Sequence, residues 1–110
     1  MLSQEHLANR RRFINALRAN TAGYKQITGS LFNKTPQGEV CALGMGVDEF
    51  GLKAYGDTDV YSQLAALFGL SDYGQETDPK GIRYVYHLND KEKLTFNQIA
   101  DRLAMVWQLY

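Results

Sequence analysis

At 110 residues, with 45% hydrophobic and 22% charged residues, the chain has the length and composition of one globular domain, residues 1–110. Its single cysteine, Cys41, excludes an internal disulfide and a cysteine-based zinc site. No segment reaches the about 18–20 consecutive apolar residues that span a bilayer, and Met1-Leu2-Ser3-Gln4-Glu5-His6 lacks the basic-then-apolar pattern of a signal peptide, so no membrane association and a cytoplasmic location are expected. Net charge is zero but segregated: residues 1–37 hold six bases against one acid, residues 38–78 one base against eight acids. Neutralisation of one part by the other on folding is the expected outcome.

The spacing predicts a first helix over residues 3–20. Leu7, Phe13, Ile14 and Leu17 share one stripe, and Gly23 follows as a stop. Arg11, Arg12 and Arg18 fall outside that stripe, whereas Arg10 falls inside it. A charge there must snorkel or find a carboxylate, and a structural ion pair is preferred to a ligand-binding role. Residues 24–32 carry strand-forming types, and Asn33-Lys34-Thr35-Pro36-Gln37-Gly38 is a turn signal. A strand over residues 27–32 paired with residues 39–42 follows.

Leu43, Val47 and Phe50 lie on one helical face, with Gly51 as the terminating residue. Gly44 and Gly46 weaken that helix and imply another backbone packed close to it. Thr58 or Asp59 is expected to cap a helix beginning at Val60, with Val60, Leu64, Leu67 and Phe68 inward and Gly69-Leu70 as a Schellman ending. Residues 71–81 form the longest polar loop. Residues 82–88 fit either an alternating strand (Ile82, Tyr84, Tyr86, Leu88) or a short helix. Thr95 and Gln98 stand at capping-box positions, and Phe96, Ile99, Ala100, Leu103, Val106, Trp107 and Tyr110 carry the apolar stripe of a last helix to the final residue. The fold class is therefore α+β, predominantly helical: three to five helices, with a short β-hairpin around residues 27–42.

Chemical motifs fail on named grounds. Gly46-Val47-Asp48-Glu49-Phe50-Gly51-Leu52-Lys53 has its lysine one place too late for a phosphate loop, and no Ser or Thr follows. Gly44-Met45-Gly46 lacks the third glycine of a dinucleotide fingerprint. Asp48, Glu49, Asp57 and Asp59 lack the alternating spacing of a calcium loop. Cys41, with His6 or His87 as base, lies in the apolar run Val40-Cys41-Ala42-Leu43 and reads as core. Residues 64–71 resemble the opening of a helix-turn-helix, but the acidic, Gly- and Pro-broken stretch that follows is a poor recognition helix. No catalytic residue, metal ligand or cofactor is assigned. Seven tyrosines, several at loops and element edges, suit either a recognition surface or a roof over the core.

The order of segments resembles a family of small, uncharacterised phage and bacterial proteins. The likeness runs through Asn9-Arg10-Arg11-Arg12-Phe13-Ile14-Asn15-Ala16-Leu17-Arg18, Tyr24-Lys25-Gln26, Gly29-Ser30-Leu31, Cys41-Ala42-Leu43-Gly44, Phe68-Gly69-Leu70-Ser71, Leu88-Asn89-Asp90 and Thr95-Phe96-Asn97-Gln98-Ile99-Ala100-Asp101. Members often carry extra cysteines near the position of Cys41. Ala42 and Gly46 make that stretch cysteine-poor here, so no metal or redox role carries over. The resemblance implies a phage or mobile-element context and a role in host takeover or counter-defence.

The expected function is that of a non-catalytic accessory protein binding a host protein or a small ligand through Tyr24, Gln26, Asp48, Asn89 and Asp90, with self-association open as well. A structural alternative for the Leu88-Asn89-Asp90 step has Asn89 ending an element and Asp90 pairing with Arg10. The second functional reading is a small nucleic-acid-binding regulator using Arg10, Arg11, Arg12 and Arg18.

Overall fold

The computed structural model describes residues 2–30, 32–33, 38–52, 57–72 and 74–109. Helix α1 (Gln4–Ala19) opens at Ser3, whose hydroxyl accepts the His6 N–H at 3.1 Å while His6 Nδ1 accepts the Ser3 N–H at 3.4 Å. This is a capping box with histidine in the place usually held by Glu or Gln. The helix ends at Asn20 as predicted, with Asn20 itself and not Gly23 as the stop residue. Asn20 turns left-handed (φ 40°), and its side chain accepts the Tyr24 N–H at 2.9 Å and donates to the Tyr24 carbonyl at 2.8 Å. A short polar side chain that bonds locally makes that backbone conformation accessible without glycine. Phe13, Ile14 and Leu17 are buried as the stripe requires, and so is Arg10.

Three two-residue strands follow: β1 (Lys25–Gln26), β2 (Phe32–Asn33) and β3 (Glu39–Val40). They order as β1-β3-β2, with β1 parallel to β3 (Lys25 opposite Glu39) and β2 antiparallel to it (Phe32 opposite Val40). A hairpin is thus present as β2–β3, but its first arm is Phe32–Asn33 and not residues 27–32: residues 27–30 are not strand, and the sheet gains a parallel edge strand at Lys25–Gln26. Its second arm is shorter than predicted because Cys41 already caps the next helix and Ala42 opens it. Residues 34–37, at the centre of the expected turn, lie outside the described residues.

Helix α2 (Ala42–Glu49) is buried on every side from Ala42 to Val47, so it runs through the core instead of lying on it. Its N-cap is Cys41, whose Sγ accepts the Gly44 N–H at 3.4 Å. Gly51 (φ +61°) ends it as predicted, with the Leu52 N–H returning to the Val47 carbonyl. At Gly46 the expected close approach is made by side chains and not by backbone. A Cβ on Gly46 would meet Leu64 Cδ2 at 3.1 Å and Phe13 Cε1 at 3.2 Å.

Helix α3 (Asp57–Phe68) begins three residues earlier than predicted, which places Thr58 and Asp59 inside its first turn. Val60, Leu64 and Phe68 are buried and Leu67 partly so. Gly69 and Leu70 make the Schellman ending, with Leu70 N–H on the Ala65 carbonyl at 2.9 Å. The ambiguous stretch is helical: α4 (Arg83–Tyr86) runs directly into a π-helical turn (His87–Lys91). Helix α5 (Phe96–Val106) carries the predicted Thr95–Gln98 capping box, but stops before the chain end because Gln108 turns left-handed (φ 58°) and Leu109 N–H reaches the Ala104 carbonyl. Helix α1 packs on α2, α3 and α5, around an aromatic chain in which Phe68 meets Phe13, Phe50 and Trp107 at 5.2–5.8 Å between ring centres. Among the described residues no helix is long and apolar enough to cross a membrane.

Candidate functional site

The π-helical turn decides where Asn89 points. An extra residue per turn rotates side chains out of the α-helical register, a feature frequent at functional positions. Here it drives Asn89 inward, to 1% exposure. Its Oδ1 accepts from Gln26 Nε2 at 2.8 Å and from the Ala42 N–H at 3.1 Å. Its Nδ2 donates to the Ile27 carbonyl at 2.9 Å and to Asp90 Oδ1 at 2.7 Å. Both acceptor sites and both donors of the carboxamide are therefore used. Gln26 donates also to the Leu94 carbonyl at 2.7 Å, which ties the edge strand to the segment that leads into α5. Gln26 and Asn89 form an internal polar latch joining β1, α2 and the π-helical turn.

Asp90 is different. Its carboxylate takes the Asn89 amide on one oxygen and the Gly29 N–H, at 2.7 Å, on the other. Among the described residues nothing fills the remaining acceptor site of either oxygen. The carboxylate lines a small cavity of about 50 Å³, together with Ser30, Leu43, Tyr61 and Tyr86. Cys41 is a wall of the same cavity. Burial pushes its thiol above the ordinary value, the Asp90 charge adding to the effect and backbone N–H groups opposing it, so the group is held as a thiol and not as a nucleophilic thiolate. Both histidines are engaged elsewhere: His6 in its capping box, His87 between Glu76 and Glu92 at 3.2 Å each.

Tyr24 and Asp48 form a separate pair. The Tyr24 hydroxyl lies near the Asp48 carboxylate, and burial first, then this charge, holds the phenol above its usual value. The five residues predicted as a binding surface thus fall into two groups: Gln26, Asn89 and Asp90 together, and Tyr24 with Asp48. Tyr86, Tyr61 and Ser30, the walls beside Asp90, were not singled out. The alternation of Tyr84 and Tyr86 with buried positions was the signal available for Tyr86, but it read equally as strand.

The expected Arg10–Asp90 pair is absent. Arg10 Nε donates to the Phe68 carbonyl at 2.7 Å and one terminal nitrogen to the Gly69 carbonyl at 3.3 Å, while the guanidinium lies 5.1 Å from the centre of the Trp107 ring. The C-terminal carbonyls of α3 supply negative potential where a carboxylate was anticipated, as helix C-termini do. Arg12 is taken by Glu49 at 2.9 Å and by the face of Phe50, and Arg18 by Asp101 at 2.9 Å. Three of the four arginines proposed to face nucleic acid are therefore engaged within the fold.

Among the described residues no group of three or more His, Cys, Asp or Glu side chains is placed to hold a metal ion. Comparison of the chain with models of protein families, with curated proteins and with solved structures finds no match to any of them.

Proposed function

We propose that this protein is a non-catalytic binding module whose recognition site is the Asp90 cavity, and that it takes a cationic group: the ammonium or guanidinium tip of a partner protein's side chain, or a small amine. The observation that carries this reading is the Asp90 carboxylate, held by Asn89 and Gly29 at the edge of a cavity walled by Tyr61 and Tyr86. A carboxylate with acceptor sites to spare among the described residues, beside the Tyr86 ring and a Tyr61 ring that already stacks under Arg83 at 4.5 Å, suits a partly desolvated cation. A volume of about 50 Å³ suits a side-chain tip better than a whole metabolite. The same polar latch that buries Asn89 fixes the position of Asp90 before a ligand arrives, which lowers the ordering cost of binding. The resemblance of the sequence motifs to small, uncharacterised phage and bacterial proteins is the ground for taking a host protein as that partner, in takeover or counter-defence.

The test is a titration of short lysine- and arginine-bearing peptides, and of butylamine, against the isotopically labelled protein. Saturable shifts at Ser30, Tyr86 and Asp90, lost in Asp90→Asn with the fold retained, are expected. Shifts scattered over acidic surface residues, or unchanged in Asp90→Asn, would overturn the reading.

A further inference from the structure

A second cleft, unconnected with the Asp90 site by any shared residue, has Arg10 in its lining. It is open, about 530 Å³, and is built from the first residues of the chain (Leu2), the end of α3 (Leu70), the loop at Pro79 and Lys80, and the end of α5 (Val106, Trp107). Its volume falls in the range of small-molecule sites. Its walls are largely apolar and its two cations are Arg10 and Lys80.

The state of Arg10 is what makes this cleft more than a surface depression. The residue is 5% exposed, and no Asp or Glu of the described residues forms an ion pair with it. Asp78 also lines the cleft, but its Oδ1 is turned to the Lys80 backbone N–H at 3.0 Å. A guanidinium has five N–H donors; the α3 carbonyls take Nε and one terminal nitrogen. That leaves donors of a nearly buried cation at the wall of a cleft. Desolvation is the one resolved influence on its ionisation, and it disfavours the charge, as expected where no anion offsets burial. The Trp107 ring and the helix-end carbonyls hold the guanidinium in a fixed plane, and a planar, fixed fork matches a carboxylate.

We infer that this cleft is a binding site for a small organic carboxylate, its carboxyl group on Arg10 and its apolar body against Trp107, Leu70 and Val106, with Lys80 at the rim adding attraction. The ligand neutralises Arg10 and covers apolar wall in one step. A bare tetrahedral anion would meet the charge but leave the apolar walls uncovered.

Trp107 is the sole tryptophan, so its emission reports on this cleft directly. The experiment titrates the full chain, in low-chloride buffer, with benzoate, with benzyl alcohol as its neutral counterpart, and with inorganic phosphate. Benzoate should change the emission saturably and bind on the order of tenfold more tightly than benzyl alcohol, the expected gain from charge-assisted hydrogen bonds. Lys80→Glu, an exposed substitution that leaves the fold intact, should weaken benzoate and leave benzyl alcohol unchanged. Arg10→Met should abolish the benzoate preference if it folds, and the Lys80 variant decides if it does not. Equal affinity for benzoate and benzyl alcohol would overturn the inference. So would saturation by phosphate alone, benzoate binding indifferent to Lys80→Glu, or no saturable change with any probe.

Discussion

The Asn89 carboxamide oxygen accepts the Ala42 N–H at 3.1 Å, so the first turn of the central helix is capped in part by a side chain 47 positions away. The first N–H groups of a helix lack intrahelical partners, and α2 begins inside the core, out of reach of bulk water. Cys41 meets one of these groups and Asn89 another. Asn89→Ala would strand the buried Ala42 N–H, take a donor from the part-buried Ile27 carbonyl and leave Gln26 with the Leu94 carbonyl alone. A loss of about 2–3 kcal/mol is expected, from one buried and one part-buried unsatisfied group. Urea denaturation measures it, and a loss below about 1 kcal/mol would mean that the latch does not hold these elements together.

Gly46→Ala should destabilise, against the ordinary helix-propensity trend. Alanine in a helix interior is favoured over glycine by about 1 kcal/mol. Here the new methyl would sit 3.1 Å from Leu64 and 3.2 Å from Phe13, both fully buried and packed on Phe68 or its neighbours. Overpacking of this kind costs about 1–3 kcal/mol, which outweighs the gain. Thermal unfolding should show a lower midpoint; a raised one would show that the two side chains yield freely.

How far the fold was legible follows from where its information lies. Capping boxes and Schellman endings are local, and the Thr95–Gln98 box, Gly51 and Gly69-Leu70 all stand where spacing placed them. The end of α1 stands where the spacing placed it, but the residue that makes the stop does not: Asn20 stabilises its own left-handed turn through Tyr24, a contact less visible than Gly23. The stretch at residues 82–88 was ambiguous because a helix passing into a π-turn blurs the 3.6-residue period. Arg10 announced itself by its place on an apolar face, but its partners did not. They are backbone carbonyls of Phe68 and Gly69, 58 and 59 positions on, and no side-chain pattern encodes a carbonyl's position. For the same reason Gln26, Asn89 and Asp90 were nameable one by one, while the Asp90 cavity, made from four separate segments, was not.

The exposed arginines of α1 should contribute unequally to stability. Arg18 meets Asp101 across α1 and α5, but both side chains are open to water at 45% and 72%. Solvent screening leaves such a pair worth well under about 1 kcal/mol, so Arg18→Ala should be close to neutral. Arg12 adds a bond to the Glu49 carbonyl at 2.7 Å and covers the Phe50 ring at 4.6 Å. Arg12→Ala should therefore cost more than Arg18→Ala, by about 0.5–1 kcal/mol, and should keep most of that cost in high salt. Equal losses that both vanish with salt would show that Arg12 acts as a surface charge alone.

Alkaline pH should erode stability through Cys41 and Tyr24 in particular. Both groups ionise by losing a proton, and both are held above their ordinary values in the folded chain, chiefly by burial. The unfolded chain therefore releases these protons first, and the released form draws the equilibrium toward unfolding. Their contribution is whole below the ordinary thiol value of 9.0 and is lost as pH rises through that value and the phenol's 10.0 toward the higher folded values. Denaturation midpoints measured from pH 7 to 11 should fall over that upper range. Cys41→Ala should flatten the earlier part of the decline and Tyr24→Phe the later part, whatever each does to stability at pH 7. Variant curves parallel to the wild type throughout would assign the alkaline loss to other groups.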